Sequence, residues 1–91
     1  IGLPKKFIAG AVFDQEDDLC SEGVTVTATN SETGEKTAAV TDSYGDFWLK
    51  GLKDGVYTLL IEKPGYLAQK FGPVDVTARD INIGDVAIWK A

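Results

Sequence analysis

Residues 41–66 read TDSYGDFWLKGLKDGVYTLLIEKPGY, two dense apolar runs set among three turn signals. In the first run Phe47 and Leu49 alternate with Asp46, Trp48 and Lys50; in the second Tyr57, Leu59 and Ile61 alternate with Thr58, Leu60 and Glu62. A spacing of two puts each set on one face of an extended strand, whereas a helix would need spacings of three and four. The punctuation has its own chemistry. Asp42 is placed to accept a hydrogen bond from the backbone two residues on, and Gly45 supplies a left-handed conformation. Asp54 and Gly55 repeat that logic, and Pro64 and Gly65 suit the second and third positions of a type II turn. Every turn in the stretch therefore reads as scaffold.

The same alternation extends outward in both directions. Strands are predicted over residues 6–13 (KFIAGAVF), 23–29 (GVTVTAT), 36–41 (KTAAVT), 45–50 (GDFWLK), 55–63 (GVYTLLIEK), 67–77 and 81–90. NSETGE at 30–35 offers Asn30 and Ser31 to bond local backbone, which joins the second and third strands in a hairpin. Seven short, mainly antiparallel strands with turns between them predict an all-β sandwich. Its core should hold Ile8, Val12, Val24, Val26, Val40, Phe47, Leu49, Tyr57, Leu59 and Ile61, which share one phase. With 91 residues and 44% hydrophobic content, one small core can be buried, so residues 1–91 are read as a single domain. The chain opens on Ile1 with no basic-then-apolar leader, and it is expected to be a domain of a larger protein.

Composition narrows the chemistry. Nine basic and fourteen acidic residues give a net charge of −5, and no basic stripe is interleaved with aromatics, so nucleic acid is not an expected partner. Nothing approaches an unbroken apolar run of about 18 residues, so no membrane span is encoded. There is no histidine and one cysteine, Cys20. That leaves no internal disulfide and no ordinary zinc or copper ligand set, and Cys20 is expected to be a small, half-buried hydrophobe. The acidic loop DQEDD, Asp14 to Asp18, lacks the ligand spacing of a calcium loop and is read as solvated. Ser21, Ser31 and Ser43 fall in turns with no base to activate them. The carboxylates Asp46 and Glu62 lie in no context that implies a cleft. No catalytic, cofactor or metal residue is expected.

The pattern Ile8-x-Gly10-x-Val12-x-Asp14, Gly23-Val24-x-Val26, Thr41-Asp42-x-x-Gly45-x-Phe47, Leu52-x-x-Gly55-x-Tyr57-x-Leu59 and Gly65-Tyr66 resembles the carboxypeptidase regulatory-like domains. That resemblance implies a transthyretin-like, seven-stranded Greek-key sandwich and says little of function, because the matched residues are turns and core. Transthyretin-like hydroxyisourate hydrolases share the fold but depend on histidine, which excludes their activity here. Related pilus and adhesin sandwiches carry a Lys–Asn isopeptide bond. Lys6, Asn82 and Glu62 are the residues that could be nominated, yet Glu62 falls out of phase with Tyr57, Leu59 and Ile61, so no bond is expected. A narrower resemblance lies in LPKKFIAGAVFD followed by GDFWLKGL and GVYTLLIEKPGY. It is similar to the C-terminal sandwich of iron–sulfur subunits of molybdopterin oxidoreductases of the transhydroxylase type. It implies an accessory domain with Leu3 to Lys6 as its point of entry, and leaves iron–sulfur clusters to the rest of the parent chain. An extracellular stalk or adhesin module, and a regulatory domain beside a peptidase, are the competing readings.

Trp48 remains to be explained. With Phe47 and Leu49 inward it must point outward, and Val56, Thr58 and Leu60 are expected beside it across the turn near Lys53. Phe13 and Trp89 are expected to extend this apolar face. Such a face predicts docking against a neighbouring domain or partner subunit through Trp48, Val56, Leu60, Phe13 and Trp89.

Overall fold

The computed structural model describes residues 6–77 and 79–91; Leu3, Pro4 and Lys5 of the proposed entry segment lie outside the described residues. The described chain is all β: β1 (Lys6–Asp14), β2 (Leu19–Cys20), β3 (Thr25–Asn30), β4 (Lys36–Val40), β5 (Asp46–Leu52), β6 (Val56–Glu62), β7 (Gln69–Asp75) and β8 (Ile81–Ile88). The strand beyond the seven expected is β2, two residues that pair with Phe13 and Asp14. Two residues carry too little alternation to be legible as a strand.

The strands form two four-stranded sheets. In the first, β1 is central, with β8 parallel along one edge and β5, then β2, antiparallel along the other. The second has the antiparallel order β4-β3-β6-β7. Ile8, Val12, Phe47, Leu49, Leu52, Val86 and Ile88 from the first sheet pack against Val24, Val26, Ala28, Tyr57, Leu59, Ile61, Val74 and Val76 from the second. Nine of the ten residues expected in the core are there. Val40 is the exception at 62% exposed. It ends β4, an edge strand, and pairs with Thr25 on the outer face. The half-buried Ala39, one residue earlier, faces the core instead.

The turns form as their residues dictate. The β3–β4 hairpin closes with the Asn30 side-chain oxygen accepting from the N–H groups of Glu32 and Thr33. Asp42 accepts from Tyr44 and Asp46 in the same way. Gly45 has φ +77°, and a Cβ there would lie 2.5 Å from the Val12 carbonyl oxygen. No side chain fits where β5 enters against β1. The Pro64–Gly65 turn closes with Tyr66 N–H to Lys63 C=O at 3.0 Å. At Gly10 the requirement is space rather than φ: a Cβ would lie 2.8 Å from Ile83 and 2.9 Å from the Phe47 ring.

One expectation of pairing fails. β5 and β6 are not hairpin partners: β5 pairs with β1, and β6 pairs with β3 and β7. Residues 53–55 carry the chain from one sheet to the other, and the Tyr57 hydroxyl, donating to the Lys53 carbonyl at 2.9 Å, fastens that crossing. Both strands bury one phase in one core. A hairpin and a crossover between facing sheets satisfy that condition equally, so alternation cannot distinguish them.

Candidate functional site

The crossover divides the expected apolar face in two. Trp48 and Phe13 lie on the outer face of the first sheet, whereas Val56 and Leu60 lie on the outer face of the second, beside Asp75 and between Thr27 and Lys70. Trp89 follows β8 in the outward phase of Ala87, the partner of Phe13, and is 41% exposed. Trp48 and Phe13 therefore belong to one sheet, and Trp89 directly follows one of its strands. Val56 and Leu60 are half-buried and form no surface with them.

What stands beside Trp48 is a groove that sequence alternation did not reveal. Its floor is Ala9, Gly10 and Ala11 on the central strand β1. One wall is Asp46, Phe47 and Trp48 of β5, the other Asn82, Gly84 and Asp85 of β8, and the volume is about 360 Å³. A second depression of about 230 Å³ shares Ala11 and Asp85 and continues past Phe13 to Asp18 and Cys20. Small side chains on a central strand between larger ones on its neighbours make a trough along the sheet. Trp48 is 58% exposed, with the Lys50 ammonium 5.5 Å from its ring centroid. Asp46 and Asp85 make no ion pair among the described residues. Cys20, expected half-buried, is exposed at the far end of this face, because β2 lies along the outer edge of β1.

The second polar constellation lies where β1 ends. Asp14, expected in a solvated loop, is buried. It accepts hydrogen bonds from the Tyr66 hydroxyl and from the N–H groups of Glu16 and Asp17. The Tyr66 hydroxyl, ahead of those backbone bonds and the Lys90 charge, holds the Asp14 carboxyl below its ordinary range despite burial, and the same bond holds Tyr66 above its own. Lys90, 3.1 Å from Asp17, is raised by that carboxylate. Nearby, the Lys63 ammonium donates to the Ser21 hydroxyl at 2.9 Å and sits 5.2 Å from the Tyr66 ring centroid. Ser21, read as a turn residue, is buried, and its carbonyl accepts from the Thr41 hydroxyl at 2.7 Å. A serine beside a lysine is the pairing that a nucleophile and base would use, but here Ser21 is buried, with its hydroxyl accepting from Lys63. The cluster ties β1, the 63–66 turn and the chain's last residues together.

Of the residues nominated for an isopeptide bond, Asn82 and Glu62 are not brought together. Asn82 is exposed on the first sheet, where its side-chain oxygen accepts from Gly84 N–H, and Glu62 is exposed on the second. Among the described residues no group of three metal-ligating side chains occurs.

A family model for the carboxypeptidase regulatory-like domain matches residues 8–88. The chain belongs to that family. No curated protein matches it. Among solved structures it is similar to a chain of a type II cohesin–X–dockerin complex from Acetivibrio cellulolyticus, at 26% identity and TM-score 0.75 over 93% of this chain and 58% of that one. It is similar in fold to a group B streptococcus pilus 2b backbone protein, at 21% identity and TM-score 0.66 over 100% of this chain and 43% of that one. It is also similar in fold to a chlorocatechol 1,2-dioxygenase from Pseudomonas putida, at 10% identity and TM-score 0.69 over 96% and 61%. The domain spans less than two thirds of each of these chains.

Proposed function

We propose that this domain is a non-catalytic structural and docking module of a larger extracellular, multidomain protein, and that it seats a neighbouring domain in the groove beside Trp48. The observation that carries the reading is its likeness, at 26% identity, to a chain of a cohesin–X–dockerin complex, an assembly of docked modules by its description. The pilus backbone protein supports the structural half of the reading through fold alone. The cohesin–X–dockerin chain and the pilus backbone protein give the stalk-type alternative better support than the oxidoreductase accessory domain drawn from LPKKFIAGAVFD.

The groove's chemistry states what its occupant offers. An apolar floor and an exposed Trp48 favour an apolar segment, and the carboxylates of Asp46 and Asp85, which make no ion pair among the described residues, favour a lysine or arginine on it. The test is hydroxyl-radical footprinting of this domain alone and within the longer protein. Trp48 and residues 82–85 should be protected in the longer protein, and Trp48→Ala should remove the protection at 82–85. Equal labelling of Trp48 in both would overturn the docking reading.

A further inference from the structure

The first and last strands of the described chain lie side by side and run the same way, from Ile8 opposite Ile81 to Asp14 opposite Ile88, with a one-residue register shift between Ala9 and Ala11 that leaves Ala11 to Asp14 paired without interruption to Asp85 to Ile88. The leading end of β1 and the trailing end of β8 therefore sit at opposite ends of their shared ladder. A pull on those two ends draws the strands along each other, so the ladder's hydrogen bonds are strained together. In the β3–β4 hairpin the open ends sit together, Thr25 opposite Val40, and a pull there separates one pair after the next.

Two further features resist sliding. The trailing end of β8 is latched by N–H to carbonyl bonds of 2.9 Å from Gln15 to Ile88, Leu67 to Trp89 and Ala91 to Gly65. Lys90 adds ion pairs with Asp17 at 3.1 Å and Glu16 at 3.9 Å. β1 cannot leave along with β8, because its other edge is bonded to β5 and β2. Once the latch beyond Ile88 gives way, the load crosses between the two ends through the ladder that β8 shares with β1. From this geometry we infer that the domain serves as a tension-bearing link, with the β1–β8 pair as its mechanical clamp. The inference rests on the structural-module reading above and gives that module a task, the transmission of load from one end to the other.

Single-molecule pulling tests it, since forced unfolding reads the barrier to rupture rather than equilibrium stability. The 91-residue chain would be pulled by its two ends and, separately, by cysteines placed with Glu22→Cys and Ser43→Cys in a Cys20→Ser background, positions that flank the β3–β4 hairpin. First rupture should need several-fold more force through the ends than across the hairpin. A second comparison uses end pulling alone. Ile88→Ala, in the clamp, should lower the rupture force more than Val26→Ala, which truncates the same core from the other sheet. Equal or lower force through the ends, or equal losses for the two substitutions, would overturn the clamp. Neither result alters the Trp48 footprint, so the docking reading and the clamp stand or fall separately.

Discussion

The outer faces of the two sheets differ most in what their central strands display. On the first, β1 shows Ala9 and Ala11 between Trp48 on β5 and Asn82 and Asp85 on β8, and a trough results. On the second, β3 shows Thr25, Thr27 and Thr29 beside Thr58 and Leu60 of β6 and Ala38 and Val40 of β4. Threonines fill the middle of that face, and a depression lies at one end of it, lined by Thr25, Glu62, Lys63, Pro64, Tyr66 and Ala68. Threonine is at home on a solvated strand face, and alanine is not. A central strand that displays alanine twice is one that something else can cover.

The largest expected effect lies beneath both faces. Leu59→Ala removes a fully buried side chain and should cost about 2–5 kcal/mol in denaturant melts; a mutant as stable as the parent would break the shared-core description. Gly45→Ala should cost about 1–3 kcal/mol from the positive φ alone, and more because its Cβ meets the Val12 carbonyl. The loss should be read in the same melts.

Acid melting sharpens a different contrast, between the Asp14 end of the sandwich and its exposed carboxylates. The Asp14 carboxyl is held below its unfolded value of about 3.9. Its contribution is present above that pH and is lost as pH falls through the lower folded-state value. Tyr66→Phe should therefore flatten the acid limb of stability against pH, measured by thermal melts across that range. Tyr66 and Lys90 are held above their ordinary values, so their contribution is lost only on the alkaline side, as pH rises past about 10.

The smallest effects on stability separate the faces most directly. Ala11→Thr and Thr27→Ala, each on an outer face, should change stability by no more than about 0.5 kcal/mol. In the longer protein the first should expose Trp48 to footprinting and the second should not. Matching footprints for the two variants would remove the distinction between the faces.

Much of this was legible from residue order. Phe47, Leu49, Tyr57, Leu59 and Ile61 announced their inward phase, and Asn30, Asp42 and Pro64 announced their turns, because each depends only on near neighbours in the chain. Val40 was misplaced because KTAAV carries small residues in both phases, and the choice between Ala39 and Val40 falls to packing. Asp14 was misplaced because its partner, Tyr66, is 52 residues away. The groove was missed for a related reason: Ala9 and Ala11 are unremarkable until β5 and β8 are known to flank them.

The sequence by itself determined that this chain forms strands, where most of them turn, which side of β1, β3, β5 and β6 faces the core, and that it holds no histidine. Only the tertiary structure decided which strands are neighbours: β5 beside β1 rather than β6, β8 parallel to β1, and hence Trp48 apart from Val56 and Leu60. Alternation specifies a face and is local; pairing is chosen among strands far apart in the chain, by which arrangement closes both sheets over one core.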